Sequence, residues 1–550
     1  MSDEFLINTY TAQWQRNPDV TRLADGSIVV VWDSFYFEGN KRFYYIAAQR
    51  YSADGKKMGG ELLLDNDLSG QSTYPSITGL SDGGYAVAWE TAQGDMLLDQ
   101  TDVYTRTFDA DGTPRGDSIR VHSFSKEDQH SASVAATENG GYTLTWSSYG
   151  GPDVDLWNDV FLRRFDADGK PIGGGKQVNT FTELDQYGNQ ATTLSNGNVL
   201  VIWDSEHGGN DYPSFATDGV RARIYSQTGK ALTREFMVVG ENDGFDGITD
   251  IGVAALPDGR FVISWFESSI DADNNVFFEV RGQVFGNDGA KLGNSFLVSI
   301  SDNHVPRHTT IAALDDGNFV ISWDQFARNA QGLDEVFARV YDADGKALGA
   351  TFRVNAPSGD TSQEYPDIQA MDGGGFMIVY QSDYADGDDE AIVGRILGQG
   401  TWRDDSDSML WTGTWRARGG DDVVVGTDGA DGIFGDRGDD LIAGGAGADW
   451  LVGGQGRDIF AYLALSDSTP RQRDTIAQFE SGRDQINLSL MDRPNGSPVF
   501  HWIGDAAFSG AAGELRFARG VLQGDSDGDR VADFAIKVAG DAPVQADIVF

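Results

Sequence analysis

Short apolar runs ending in an aromatic punctuate the chain at Trp32, Trp89, Trp146, Trp203, Trp265, Trp323 and Tyr380. The first three intervals are 57 residues each, and the later ones are 62, 58 and 57. Each unit repeats one alternation of apolar and polar positions; the second reads PSITGL, an SDGG turn, YAVAWE, a loop, VYTRTFDADG and SIRVH. Period-two alternation bounded by Asp-Gly and Gly-Gly turns predicts a four-stranded antiparallel meander. Seven such units in succession predict an all-β chain whose residues 1–398 form a seven-bladed β-propeller.

The seventh unit stops at Gly398 without a fourth strand. In other units that strand reads KQVNT (176–180) or FRVNA (352–356), and residues 5–9 read FLINT. The N-terminal segment is therefore expected to complete the last blade and remove the exposed sheet edge of an open ring. The Asp-Gly turns fall on one side of such a ring and the longer loops on the other. Those loops carry Tyr36, Phe37, Asp95, Trp157, Asp159, His207, Asp211, Tyr212, Asp271, Asp273, Asp386, Asp388 and Asp389, acids and aromatics of the kind that hold a sugar or a metal-bridged ligand. Binding residues collect on loops carried by a rigid scaffold. The DADG turns at 166–169 and 342–345 read as hairpins rather than metal loops, because another unit uses Ser226-Gln227-Thr228-Gly229 at the same place.

After a linker over 399–416 the pattern changes. Five nine-residue units run from 417 to 461: ARGGDDVVV, GTDGADGIF, GDRGDDLIA, GGAGADWLV and GGQGRDIFA. Asp holds the sixth position at Asp422, Asp431, Asp440, Asp449 and Asp458, and an apolar residue holds the eighth at Val424, Ile433, Ile442, Leu451 and Phe460. This is the repeat of a parallel β-roll, predicted over 417–462, in which units two apart stack. Carboxylates stacked at the roughly 4.8 Å spacing of adjacent strands repel by about 3–4 kcal/mol at an effective dielectric near 20. A hard, oxygen-liganded cation reverses that sign, so the run predicts several Ca²⁺ ions. The aspartates would share them with backbone carbonyls of Gly429, Gly438, Gly447 and Gly456, and with Asp428 as a lesser candidate. A further acidic turn, Asp525, Asp527, Asp529 and Asp533, is a second candidate calcium loop.

Composition narrows the chemistry. The chain has no cysteine, which removes disulfides, thiolate metal sites and a catalytic thiol. A formal charge of −44 disfavours nucleic acid and anionic lipid and favours cations. No apolar run is long enough to span a membrane, and MSDEFLINTYTAQW lacks the basic and apolar regions of a secretory signal.

The nonapeptide run resembles the RTX (hemolysin-type) calcium repeats. The stretch 419–550 resembles the C-terminal domain of the serralysin metalloproteases, through GRDIFAYLALSDS, DTIAQFESGRDQINLS, IGDAAFSGAAGELRF and GDSDGDRVADFAIKV. Residues 463–550 are accordingly expected to form that domain beyond the roll. The resemblance implies type I export by an ABC transporter reading an uncleaved C-terminal signal, here ending Ala546-Asp547-Ile548-Val549-Phe550, and an extracellular location. The protease half has no counterpart. None of the six histidines lies in an H-E-x-x-H motif, and His304 and His308 are spaced correctly but read HVPRH, without the Glu base and with a helix-breaking Pro306. The G-x-S-x-G match at 524–528 is flanked by carboxylates unsuited to an oxyanion.

The expected function is thus a secreted, calcium-binding protein whose propeller acts as an extracellular binding or adhesion module for a glycan or cell surface. The alternative is a propeller enzyme acting on an extracellular polysaccharide. Glycoside cleavage needs two placed carboxylates, and no pair stands out among 85 acids. Acids with raised pKa converging on the axis would favour the enzyme, and shallow aromatic patches the binder.

Overall fold

The structure is a computed structural model that describes residues 4–11, 14–38, 41–66, 70–92, 100–123, 128–149, 157–182, 184–205, 219–240, 248–270, 276–301, 304–327, 333–348, 351–355, 361–372, 375–383, 385, 390–397, 414–416, 423–426, 429–489, 491 and 500–550. Each repeat unit folds as an antiparallel meander; blade 1 runs Gln15–Arg22, Ile28–Glu38, Lys41–Tyr51 and Lys57–Leu63. The second strand of each blade lies between neighbouring blades and is buried on both faces, so it reads as a continuous apolar run: every residue of Tyr85–Ala92 is buried. The seven core aromatics, from Trp32 to Tyr380, are all exposed by 2% or less. The first strands touch one another in a closed circle, from Gln15–Arg22 through Gln71–Gly79 round to Gln363–Ala370, which packs back on Gln15–Arg22. This is a seven-bladed β-propeller.

The ring closes as the sequence predicts. Phe5–Leu6 pairs antiparallel with Glu390–Leu397, placing Phe5 opposite Gly394 and Leu6 opposite Val393. Asn8 repeats a bond made inside other blades. Its Oδ1 accepts the Ile392 N–H at 2.9 Å, as Asn179 accepts Val160 at 2.9 Å and Asn355 accepts Val336 at 3.0 Å. The Asn of each V-N or I-N pair thus ties the outer strand to the third.

Arginines on the third strands fasten blade to blade. Arg106 donates to the Leu64 carbonyl at 2.9 Å, Arg163 to Val121 at 2.7 Å and Arg223 to Val178 at 2.8 Å. Each stands over an aromatic two residues on, Phe108, Phe165 and Tyr225.

Parallel pairing begins at Thr414–Arg416, inside the stretch read as linker. The chain then alternates between two parallel sheets: Thr414–Arg416, Gly432–Arg437, Trp450–Gln455 and Thr475–Phe479 in one, Val423–Val425, Leu441–Ala443, Ile459–Ala461 and Gln485–Asn487 in the other. Ile433, Ile442, Leu451 and Phe460, the eighth-position residues of the last four units, are wholly buried between them, and Val424 of the first is partly buried. The antiparallel strands Glu514–Ala518, Val521–Asp525 and Phe534–Gly540 extend the first sheet, and Ile548–Val549 joins the second beside Ile486 and Asn487. The coil rests on the propeller through Ile300 of blade 5, which packs with Val425, Leu441, Ala443 and Ala461. Among the described residues no helix is long and apolar enough to cross a membrane.

Candidate functional site

Every first strand carries a β-bulge near its long-loop end, at Arg16/Asp19, Thr73/Ser76, His130/Ser133, Tyr187/Gln190, Thr249/Gly252, Arg307/Thr310 and Glu364/Asp367. One residue of each bulge is left-handed: Asn17 (φ 50°), Tyr74 (51°), Ser131 (55°), Gly188 (60°), Asp250 (51°), His308 (45°) and Tyr365 (53°). They recur at the repeat interval, one per blade, and ring the axis on the long-loop face. Only one is glycine. Tyrosine and histidine in this conformation are strained, and such strain gathers at functional sites.

The residue after the core aromatic supports the ring in several blades. Asp33 accepts Asn17 Nδ2 at 2.7 Å and also the Tyr74 N–H of the next blade. Glu90 accepts the Ser131 N–H at 2.7 Å. Asp324 accepts His308 Nδ1 at 2.7 Å and the Tyr365 N–H at 3.2 Å. These carboxyls are out of water, and burial pushes Asp33 and Glu90 up to about 7. Asp204 is raised well above the usual carboxylate range by burial and by the facing Asp250, which burial raises in turn. The His308 imidazole is pulled down by burial but raised on balance by Asp324, Asp250 and Glu364. Burial and the Glu364 carboxylate bring Asp334 to about 7, and a hydrogen bond joins the two side chains. Tyr365 stacks on His308 with ring centroids 3.9 Å apart, and Tyr74 is 53% exposed.

A second site lies in the coil. Each stacked aspartate accepts, through Oδ1, the backbone N–H of the aspartate one coil turn earlier: Asp449 from Asp431 at 2.8 Å and Asp458 from Asp440 at 3.0 Å. The ladder continues past the nonapeptides, since Asp474 accepts Asp449 N–H at 2.9 Å and Asp484 accepts Asp458 N–H at 3.3 Å. The other oxygen, Oδ2, folds over the glycine five residues back. A Cβ at Gly435, Gly444 or Gly453 would lie 2.1, 2.4 or 2.1 Å from Oδ2 of Asp440, Asp449 or Asp458, which is why the first position of these units is glycine. The turns also stack closely: a Cβ on Gly456 would meet the Gly438 carbonyl oxygen at 1.7 Å, and one on Gly447 the Gly429 oxygen at 2.6 Å. Oδ2 of Asp449 and of Asp458 is buried with no hydrogen-bond partner among the described residues. Burial, with the neighbouring carboxylates adding to it, raises Asp449 to about 8 and Asp458 and Asp474 to about 7.

The structure therefore stacks Asp431 with Asp449 and Asp440 with Asp458, all buried, with Gly429, Gly438, Gly447 and Gly456 in the turns. Asp422 and Asp428 lie outside the described residues, as do Asp95, His207, Asp211, Tyr212, Asp271, Asp273, Asp386, Asp388 and Asp389. Tyr36 and Phe37 are placed only as backbone of Ile28–Glu38. Trp157 is half-buried. Asp159 is not a loop-tip acid: it lies in strand Asn158–Phe165, 6% exposed, and accepts Asn179 Nδ2 at 2.6 Å. Carboxylate oxygens of Asp525, Asp527 and Asp529 lie within 4.8 Å of one another. Asp525 is committed to the N–H groups of Gly528 and Arg530, and Asp533 turns to Ser526. HVPRH is part of strand His304–Ala313, not a helix.

Sequence reasoning missed the bulge ring and the ladder residues Asp474 and Asp484. The signal for the latter was present, because Asp474-Thr475-Ile476 and Asp484-Gln485-Ile486 keep the Asp-x-apolar spacing of the sixth to eighth positions.

Residues 420–550 match the family model described as peptidase M10 serralysin C terminal. Among solved structures, the polysaccharide lyase Uly1 aligns at 11% identity over 71% of this chain and 92% of its own, with a TM-score of 0.45. A protein of unknown function from Dyadobacter fermentans aligns at 14% identity over 72% and 98%, TM-score 0.42. The NanB sialidase from Streptococcus pneumoniae aligns at 10% identity over 73% and 71%, TM-score 0.39.

Proposed function

We propose that this is a secreted, calcium-binding RTX protein whose propeller engages an extracellular glycan at the axial mouth on its long-loop face. The observation that carries the calcium reading is the ladder of buried aspartates with orphaned Oδ2 atoms at Asp449 and Asp458. A buried carboxylate oxygen without a donor is costly, and a hard cation is the partner that suits an oxygen-only site. Asp431, Asp440, Asp449 and Asp458, extended by Asp474 and Asp484, would hold the ions with carbonyls of the glycine turns, making the two parallel sheets a calcium-bound β-roll. The serralysin-like terminal domain supports export by a type I ABC transporter. The bulge ring supports the glycan reading, with a half-exposed Tyr74 and the His308–Tyr365 stack as faces for sugar rings.

A catalytic reading is favoured by one observation: the Asp334–Glu364 carboxyl pair lies in the field of His308 and Asp324, an arrangement able to move protons. A glycan array on the calcium-loaded protein, followed by product analysis on the bound polysaccharides, tests both. Binding without new reducing or unsaturated ends supports the binder, products support the enzyme, and an array with no hits removes the glycan reading.

A further inference from the structure

The seven bulge residues share one backbone conformation, yet their side chains differ from blade to blade. A ring needed only for architecture has no use for strained Tyr74 and Tyr365, since Gly188 holds the same position without strain. The ring is rich in acids, with His308 bonded to one of them. Asp204 Oδ1 and Asp324 Oδ2 are buried without a hydrogen-bond partner among the described residues, on side chains exposed by 4% and 0%. Gly188 lets the Asp204 carboxyl approach the backbone closely, for a Cβ there would sit 2.7 Å from Oδ2. Asp250 lies between Asp204 and the His308–Asp324 pair. Of the neighbouring arginines, Arg16 grips Glu390 through two bonds of 2.5 and 2.7 Å, while Arg307, over Phe326 at 5.2 Å, also faces Asp250.

From this geometry we infer that the axial mouth takes a cationic saccharide, an amino-sugar oligomer with free amines, its ammonium set between Asp204, Asp250 and Asp324 and its sugar faces on Tyr74 and Tyr365. This rests on the glycan reading above and specifies the ligand class. Unsatisfied acceptors call for a donor, carboxylates call for positive charge, and tyrosine faces hold both sugar rings and cations.

The test is isothermal titration of the full-length, calcium-loaded protein with three oligosaccharides of equal length: oligoglucosamine, its N-acetylated form and a neutral glucan. Oligoglucosamine is expected to bind at least tenfold more tightly than either. Asp250→Asn, which keeps an acceptor for the His308 N–H, is expected to weaken it at least tenfold. Tyr74→Ala, at a half-exposed position, serves as a second variant that leaves the fold intact. Equal affinity for the N-acetylated oligomer, or indifference to both substitutions, overturns the inference while leaving the glycan reading in place. Failure of every oligosaccharide, with a negative array, overturns both.

Discussion

Arg339, 1% exposed, donates through its guanidinium to the backbone carbonyl of Gly426, at the start of the second nonapeptide. Its counterparts Arg106, Arg163 and Arg223 reach back to the preceding blade. Arg339, at the equivalent place in blade 6, thus reaches the coil. Arg339→Met keeps most of the stem and removes the bond, and losing a buried charged hydrogen bond costs about 1.5–3 kcal/mol. Calcium titration followed by circular dichroism is expected to show a midpoint several-fold higher in the variant. An unchanged midpoint would mean that the seam does not help the coil fold.

Asp449 and Asp458 each have a stacked aspartate on both sides, Asp431 and Asp474 for one, Asp440 and Asp484 for the other. Replacing either with Ala is expected to raise the calcium midpoint about tenfold or abolish the transition, since neighbouring sites fill together. Asp527→Ala, in an exposed turn, is expected to change it by less than about twofold. Magnesium should not substitute. A coil that forms fully in chelator with Asp449→Ala would remove metal from the account.

The propeller should lose stability as pH rises. Asp33 and Glu90 sit near 7 in the fold because they are buried, against ordinary carboxylate values when unfolded. The native state therefore binds more protons between those limits, and the associated stability is fully present below about pH 4 and lost as pH climbs through about 7. Melting in chelator at pH 5 and pH 8 should show the higher Tm at pH 5, with the difference reduced in Asp33→Asn. The opposite order would show that burial does not govern these groups.

Tyr74→Gly separates strain from use. Glycine relieves a left-handed position worth roughly 1–3 kcal/mol, partly offset by greater freedom of the unfolded chain. Stability is expected to hold or rise slightly while saccharide affinity falls. A large loss of stability with affinity intact would make Tyr74 a packing residue.

Ile7 is wholly buried in a cluster with Val20, Trp32, Met377 and Val379, joining blade 1 to blade 7. Ile7→Ala should cost about 2–5 kcal/mol, and removal of residues 1–10 should lower Tm further. An unchanged melt after truncation would show that the closing strand is dispensable.

Blades, closure and stacked aspartates were legible because each rests on a repeated local pattern: an aromatic after an apolar run, V-N or I-N in the outer strand, Asp at a fixed place among glycines. The bulge ring was not. Left-handed Tyr74, His308 and Tyr365 carry none of the Gly or Asn signal that marks positive φ, and only superposing all seven repeats would have put Gly188 in register with them. The acids of the mouth were hidden for a related reason. Asp33, Asp204 and Asp324 directly follow the core tryptophans and read as the polar ends of buried strands, while the expected loop acid Asp159 proved to be such a strand residue instead. The arginine fastenings showed as Arg-x-aromatic triplets at 106–108, 163–165, 223–225 and 339–341, but a triplet does not say which carbonyl it will reach.

Phe5–Leu6 sits on the outer edge of a blade whose other strands come from residues 363–397. During synthesis the closing strand leaves the ribosome long before there is anything for it to pair with. Blades 1 to 6 can stack as they emerge, but the ring stays open until blade 7 is made and captures a segment that has waited through most of translation. Between those moments, blade 7 offers an unpaired edge of Glu390–Leu397 to any Phe5–Leu6 segment within reach, including that of a second chain. Newly made molecules held at high local concentration thus face a choice between closing on themselves and exchanging strands, a choice that dilution decides in favour of the monomer.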